Sequence, residues 1–457
     1  MMQHGGKMKL GRAWFGIALG LALAACQTVE STVDRTAGAL TGRSNIPMGT
    51  PGHVTGFLGG VAADEPRAAI VARDILASGG SAVDAAVAGA FTLAVTLPSR
   101  AGLGGGGACV VLDAQRGLAR AIVFPAGART EIPSGTDRPA ALPAMARGLF
   151  GMHLNAGRFK IEDLIRPAEE LARLGTEISR TLADDMAVVA GPLLADPSAR
   201  QIFGRTGGGV LKLGDRITQP DLSATLAQLR ASALGIGDLY QGSLAERLVE
   251  GSVMSGGGLT EAELRATRIR AGGATRIALG SDGVLLTTDA SPGLPGALQA
   301  AMAGQTPNAD TSAGAGAGAS LITLDREGNA VSCAFSMNNL FGTGRVVPGT
   351  GILLAAAPGI GLVQAAPLPV AILARPDLRR FRAAASGSGG QAALAATAMP
   401  LAAVQRRGGP ADPFEGVPAP GRGVTISCAG LVPTNSPACI GAVDPRGGGV
   451  ALGSFGR

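Results

Sequence analysis

Apolar residues along the first third of the chain repeat with helical spacing. Residues 64–78 predict a helix with Asp64 as its N-cap, Pro66 in the first turn and Gly79-Gly80 after its last turn. Residues 81–96, SAVDAAVAGAFTLAVT, are apolar on nearly every face. A helix of this kind is buried on all sides, so we expect it inside the molecule.

Shorter apolar runs predict strands. ACVVLD and ARAIVF flank Gly117, while the segments 320–324 and 330–336 flank DREGN as a hairpin. Between them, residues 143–269 are mostly helical, and the tail from Val424 returns to short strands and turns. This mixture favours an α+β fold, in particular a layered sandwich.

Two helix starts in the middle of the chain carry the pattern of a capping box. Ser243 is followed three residues later by Glu246, and Thr260 is followed by Glu263. A hydroxyl and a carboxylate at this spacing can satisfy each other's backbone N–H groups. We therefore expect both residues to cap helices.

The N-terminus resembles the signal peptide of a bacterial lipoprotein. Lys7, Lys9 and Arg12 precede a 12-residue apolar run, which ends in Leu-Ala-Ala-Cys at Cys26. The run is too short to span a bilayer. We expect residues 1–25 to be a signal peptide, Cys26 to be lipidated and residues 26–52 to be a tether. The protein would then lie in the cell envelope, anchored by lipid and facing the periplasm.

Composition excludes several classes of chemistry. The 457 residues include three histidines, His4, His53 and His153, so we expect neither a histidine metal site nor a Ser-His-Asp triad. The net charge is +6, but the basic residues are scattered and aromatic residues make up 3 %, which is unlike a nucleic-acid-binding surface. We expect no cofactor, no metal and no nucleic acid.

The cysteines divide into three groups. Cys26 is assigned to the lipid, and Cys428 and Cys439 lie close enough in sequence to pair in an oxidising compartment. Cys109 and Cys333 fall within apolar strand-like runs, and we expect them to be thiols in the core.

Two glycine-rich segments and one polar segment are candidates for chemistry. GLGGGG at 102–107 contains GxGxxG, but it follows a helix and opens a strand, which argues against dinucleotide binding. Gly389-Gly390 could present backbone N–H groups to an oxyanion. Ser336 and Asn338 lie two residues apart and could contact a polar substrate or cap a loop.

Taken in order, these motifs resemble the γ-glutamyltransferase family. The matching stretches are ILASGGSAVDAAVAGAFTLAVTLP, GLGGGG, RPAEELARLG, GDRITQPDLSATL, LDREGNAVSCAFSMNNLFGTG, GTGILL, SGSGG and AVDPRGGG. The resemblance implies a four-layer αββα sandwich of the N-terminal-nucleophile hydrolase type. Residues 53–310 would correspond to the large subunit and 311–457 to the small subunit, intertwined in one domain. Such precursors cut themselves, and the new N-terminal threonine attacks a γ-glutamyl amide, with its own amine as base.

The resemblance assigns roles to four residues. Ser336 and Asn338 match a hydroxyl and an amide that bind the glutamyl group and the nucleophile, and Gly389 and Gly390 match the oxyanion pair.

At the other family positions, this sequence departs from the pattern. When the family pattern is aligned on DREGN, the position of the nucleophile corresponds to Gly318. The position of the arginine that binds the substrate carboxylate corresponds to Pro125. The acidic residue for the substrate amine falls near Ile360, and a serine pair falls on Pro369-Val370.

Other residues could replace the missing groups. Thr311 or Ser312 could be the nucleophile if the GAGAGA tract is an insertion, and Ser320 lies two residues after the aligned position. Arg129, four residues after Pro125, could bind the substrate carboxylate.

Three functional hypotheses follow. The first is a lipid-anchored γ-glutamyltransferase or glutathione-type hydrolase that uses Thr311 or Ser320. The second is a degenerate, uncleaved homologue with a binding or scaffold role. The third is an amidohydrolase for a different acyl group, because Pro125, Ala357 and Ile360 are apolar where the family carries charge.

Overall fold

Two antiparallel β-sheets form the centre of the protein. A computed structural model describes Met2 and residues 57–281, 283–308, 317–406, 412–433 and 438–453. Within these ranges the strands are β1 (Gly59–Ala63), β2 (Gly106–Asp113), β3 (Leu118–Phe124), β4 (Thr176–Glu177), β5 (Arg216–Ile217), β6 (Arg270–Gly273), β7 (Thr275–Leu279), β8 (Gly283–Thr287), β9 (Gly318–Asp325), β10 (Ala330–Ser336), β11 (Val346–Val347), β12 (Ile352–Leu353), β13 (Val370–Ala374), β14 (Phe381–Ser388), β15 (Arg422–Val432), β16 (Cys439–Val443) and β17 (Val450–Gly453).

The strand order interleaves early and late parts of the chain. The first sheet has the order β17-β1-β9-β10-β2-β3-β6, and the second has the order β16-β15-β14-β13-β8-β7. Segments 53–310 and 311–457 both contribute strands to each sheet. Two further pairs, β4-β5 and β11-β12, lie outside these sheets.

Helices cover the outer face of each sheet. The helices of the described ranges are α1 (Pro66–Ala77), α2 (Ala82–Thr96), α3 (Met145–Ala156), α4 (Ile161–Leu174), α5 (Arg180–Val188), α6 (Ala190–Ala195), α7 (Pro197–Phe203), α8 (Pro220–Ala231), α9 (Asp238–Gln241), α10 (Ser243–Met254), α11 (Glu261–Ala266), α12 (Leu294–Met302) and α13 (Ala392–Gln405). The first sheet packs against α1 to α3, and the second packs against α12 and α13. The protein is therefore a four-layer αββα sandwich with a helical middle region. None of the described helices is both long and apolar enough to cross a bilayer.

Alternating side chains explain the two core layers. Ile322 and Leu324 of β9 pack between the sheets with Ile426 of β15. Ala383 and Ala385 of β14 point the other way, toward α12 and α13. Because successive strand residues face opposite sides, each strand serves both layers.

The sandwich has two distinct ends. At one end, which we call the upper end, β1 finishes before Asp64 and its neighbour β9 begins at Gly318. At the same end, β14 finishes at Ser388 and its neighbour β15 begins at Arg422. At the lower end, Gly59 lies opposite Asp325 and Phe381 lies opposite Val432.

Two disulfides link neighbouring strands. Cys428 and Cys439, the two cysteines considered above as a pair, lie on β15 and β16 with sulfur atoms 2.08 Å apart. Cys109 and Cys333, predicted to be core thiols, form a disulfide of 2.01 Å instead. The sequence conceals this pairing because 224 residues separate the two cysteines, whereas the register of β2 and β10 places them directly opposite each other.

Helix caps agree with the sequence pattern at some positions only. Thr260 and Glu263 form the expected capping box, but the helix after Gly242 has no side-chain cap, and Ser243 Oγ accepts a hydrogen bond from Gln228 Nε2. Asp64 is not the cap of α1 either, because Glu65 accepts the N–H of Ala68.

Candidate functional site

Gly318 begins β9 at the upper end of the sandwich. A Cβ atom placed on this glycine would lie 3.1 Å from the carbonyl oxygen of Phe335 and 3.2 Å from Cβ of Ser388. Contacts this short require the neighbouring atoms to move. The position that the family resemblance assigns to the nucleophile therefore carries no hydroxyl, and a side chain there would need Phe335 and Ser388 to shift slightly.

Ser336 ends β10 beside the same peptide. Its hydroxyl donates a 2.6 Å hydrogen bond to the carbonyl oxygen of Ala317 and accepts a 2.8 Å bond from the N–H of Asn338. The serine is 3 % exposed. Both of these bonds connect parts of the protein to each other.

Asn338 connects three segments around the upper end. Its amide nitrogen donates to the carbonyl oxygens of Ala356 at 2.8 Å and Ala126 at 3.4 Å. Its amide oxygen accepts the N–H of Ala366 at 3.3 Å. Ala356 and Ala366 lie at either side of the loop 357–365, so Asn338 stabilises both ends of that loop.

Gly389 and Gly390 follow β14 directly and precede α13. Their φ angles are +104° and +60°, in the region that favours glycine. Neither N–H donates to any of the described residues. Two free N–H groups next to a helix N-terminus are suited to bind a negatively charged oxygen. The role of Gly389 and Gly390 as an oxyanion pair stays a prediction.

Ser320 lies two residues after Gly318 on the same face of β9. The residue is fully buried, and its hydroxyl has no hydrogen-bond partner. Its backbone N–H donates to Asp64 Oδ2 at 2.8 Å, and its carbonyl oxygen accepts the N–H of Asp64 at 3.1 Å. A second unpartnered hydroxyl, that of Ser388, is also buried at the upper end.

Asp64 is the centre of a charged cluster that the sequence did not indicate. Burial raises the pKa of its carboxyl to about 6, although Arg100, the N–H of Ser320 and Arg422 act in the opposite direction. Arg100 is itself paired with Asp185, with Nε–Oδ2 at 2.7 Å and Nη2–Oδ1 at 2.8 Å.

Asp444 completes this cluster from the end of β16. Its negative charge also raises the pKa of Asp64, although it accepts hydrogen bonds from Arg446 at 3.0 Å and 2.6 Å. Positive and negative groups therefore alternate through the cluster.

Arg129 is occupied by the protein itself. Nε lies 2.5 Å from Glu263 Oε1 and Nη2 lies 2.9 Å from Glu263 Oε2. The remaining N–H groups donate to the carbonyl oxygens of Ala140, Gly257 and Gly258. All five donors have partners and the side chain is 0 % exposed. This geometry leaves Arg129 no donor with which to bind a substrate carboxylate.

Other predicted site positions are apolar in the structure or fall outside it. Pro125 is exposed, Ala357 is buried and Ile360 is half-buried in a loop whose neighbour Leu362 is fully exposed. Thr311 and Cys26 lie outside the described residues. In the ranges that are described, no group of three or more His, Cys, Asp or Glu residues could bind a metal ion.

The four-layer αββα sandwich is a fold of the N-terminal-nucleophile hydrolase type. A sequence model of the family "Gamma-glutamyltranspeptidase" matches residues 68–306, which is more than half of the chain. The chain belongs to this family.

Two curated relatives illustrate the similarity. The chain is 30 % identical over 252 residues to "Glutathione hydrolase 3" of Arabidopsis thaliana, covering 52 % of this chain and 39 % of the relative. It is 32 % identical over 225 residues to "Glutathione hydrolase proenzyme" of Escherichia coli, covering 46 % of this chain and 38 % of the relative. The matches thus span about two fifths of the length of these relatives.

Solved structures support the fold. The cephalosporin acylase from Bacillus halodurans superimposes with a TM-score of 0.68 and covers 90 % of this chain and 99 % of its own. Its sequence identity is 18 %, so this similarity concerns the architecture alone.

Proposed function

We propose that this protein is a catalytically degenerate member of the γ-glutamyltransferase family with a binding or scaffold role. The observation that carries the proposal is Gly318, which offers no hydroxyl and at which a Cβ atom would lie tightly against Phe335 and Ser388. Without a nucleophile at this position, the chain cannot cleave itself there and no γ-glutamyl-enzyme can form there.

The surroundings of Gly318 support the same proposal. Ser336 and Asn338 use their polar groups within the protein, and Arg129 has no free donor. A zwitterionic glutamyl head group would therefore lose its hydration without gaining charged partners, which costs several kcal/mol. The free N–H groups of Gly389 and Gly390 remain as an anchor for a carbonyl or carboxylate oxygen.

The location of the protein is part of the proposal. The sequence around Cys26 supports a lipid anchor and a periplasm-facing position in the bacterial envelope. Mass spectrometry of the full chain from its native membrane tests this, with a mature N-terminus at a lipid-modified Cys26 as the expected result. An unprocessed or unmodified N-terminus would contradict it.

An amidase that uses Ser320 is the second candidate. Its hydroxyl is unpartnered, and its backbone N–H donates to Asp64, whose raised pKa suits a proton acceptor. The apolar residues Pro125, Ala357 and Ile360 would favour an acyl group without an amino-acid head.

Turnover assays separate the two candidates. Freshly purified full chain is incubated with a γ-glutamyl anilide and with a simple acyl anilide, in parallel with the Ser320→Ala variant. If the protein is catalytically degenerate, we expect it to release the aniline from either compound no faster than buffer alone. Release that disappears in Ser320→Ala would establish the amidase instead, and release that persists would overturn both.

A further inference from the structure

An arginine-lined cavity lies at the lower end of the sandwich, away from Gly318. Its volume is about 700 Å³, and it opens between the second sheet and the end of α13. The lining residues are Leu279, Gly283, Leu373, Ala374, Arg375, Arg382, Val404, Gln405, Ala429 and Leu431. One wall is apolar, and none of the described residues that line the cavity is acidic.

The two arginines of this cavity, Arg375 and Arg382, are not paired with any carboxylate among the described residues. Arg382 donates to the carbonyl oxygens of Cys428 and Ala429, and Arg375 is exposed. Neither forms a salt bridge with a residue that the structure describes, whereas fifteen such bridges occur elsewhere in those ranges. A guanidinium group without a carboxylate partner is suited to bind a phosphate bidentately.

More positive charge surrounds the cavity entrance. Arg379 and Arg380 are exposed in the turn between β13 and β14, and Arg406 is exposed at the end of α13. Asp377 is the acidic residue of that turn, and its carboxylate accepts the N–H of Arg379. The lower end therefore combines a cationic rim with an apolar wall, which matches an anionic lipid in both its parts.

The start of the described chain lies at this same end. β1 begins at Gly59, opposite Asp325, and the turn after Asp325 contacts the segment that follows β15, where a Cβ on Gly328 would lie 2.8 Å from Pro433 Cδ. Leu431, two residues before Pro433, lines the cavity. Hence the described domain begins on the side of the cavity.

We propose that this cavity, which we call the arginine pocket, binds the phosphate of an anionic phospholipid while its apolar wall contacts the acyl chain. The proposal rests on the envelope location given above, because a lipid anchor at Cys26 would hold the domain close to a bilayer. It assigns the molecule a membrane-facing end, opposite the free N–H groups of Gly389 and Gly390.

Binding of short-chain phospholipids tests the arginine pocket directly. Detergent-free full chain with Cys26→Ser is titrated calorimetrically with dihexanoyl phosphatidylglycerol and with dihexanoyl phosphatidylcholine, both below their micelle concentrations. We expect saturable binding of the anionic lipid, weakened about tenfold or more by Arg375→Gln with Arg382→Gln. The matched control is the double variant Arg173→Gln with Arg268→Gln, whose exposed arginines lie in the helical middle region. We expect this variant to bind the anionic lipid as the unchanged protein does.

The outcomes separate this inference from the proposed function. Equal binding of both lipids, or no effect of the paired pocket substitutions, would overturn the arginine pocket. Inorganic phosphate that binds as tightly as the lipid and displaces it would also overturn the proposal, because the cavity would then be a site for free phosphate. The envelope location fails separately, if mass spectrometry of the native protein finds no lipid on Cys26.

Discussion

Replacing Arg129 tests whether this residue stabilises the fold or binds a substrate. Arg129→Met removes the positive charge from a side chain that is 0 % exposed and leaves Glu263, which is 18 % exposed, without its partner. It also removes the donors for three backbone carbonyl groups. Breaking a buried ion pair from one side costs about 3–5 kcal/mol. Because Glu263 keeps its hydrogen bonds from Thr260, we expect the lower part of that range.

Urea unfolding followed by far-ultraviolet circular dichroism measures this loss. The matched control is Arg265→Met, whose partner Glu261 is four residues away and whose side chain is 58 % exposed. An exposed pair of this kind contributes at most about 0.5 kcal/mol. A midpoint for Arg129→Met equal to that of the unchanged protein would refute the structural role and would return Arg129 to the substrate-binding candidates.

Three further predictions concern charge, space and anchoring. The pKa of Asp64 is raised to about 6 in the folded protein, so its ionisation opposes folding as the pH rises from 4 to 8. The side-chain amide of the Asp64→Asn variant does not ionise. Between pH 4 and pH 8 the free energy of unfolding of this variant should therefore rise by on the order of 2 kcal/mol relative to that of the unchanged protein. Parallel curves of unfolding free energy against pH would contradict this. Gly318→Thr should lower the free energy of unfolding by about 1–3 kcal/mol, because its Cβ meets Phe335 and Ser388. It should release no aniline from a γ-glutamyl anilide, and turnover by this variant would show that only the hydroxyl was missing. Cys26→Ser should abolish incorporation of a radiolabelled fatty acid, and label that persists would refute the anchor.

Strongly periodic segments made much of the fold predictable. The helix over residues 81–96 is buried throughout as α2, because nearly every position is apolar. The hairpin around DREGN is present as β9 and β10, where strand alternation and the turn residues agree. Family resemblance supplied the layer order, which local pattern alone left open.

Interactions between distant segments could not be predicted in the same way. Cys109 and Cys333 pair because of sheet register, and Asp64 lies beside Ser320 because β1 and β9 are neighbours. The five oxygen atoms that accept hydrogen bonds from Arg129 belong to four residues in three separate segments. No periodicity along one segment encodes such contacts, so they became visible only in the folded chain.

Intact mass spectrometry of freshly purified protein under denaturing conditions tests the central claim most directly. If Gly318 has replaced the nucleophile, the chain has no hydroxyl with which to cut the peptide bond before it. The account predicts one uninterrupted polypeptide that extends across residues 308–320 to the C-terminus. Two fragments, the second beginning at a threonine or serine within that interval, would contradict it.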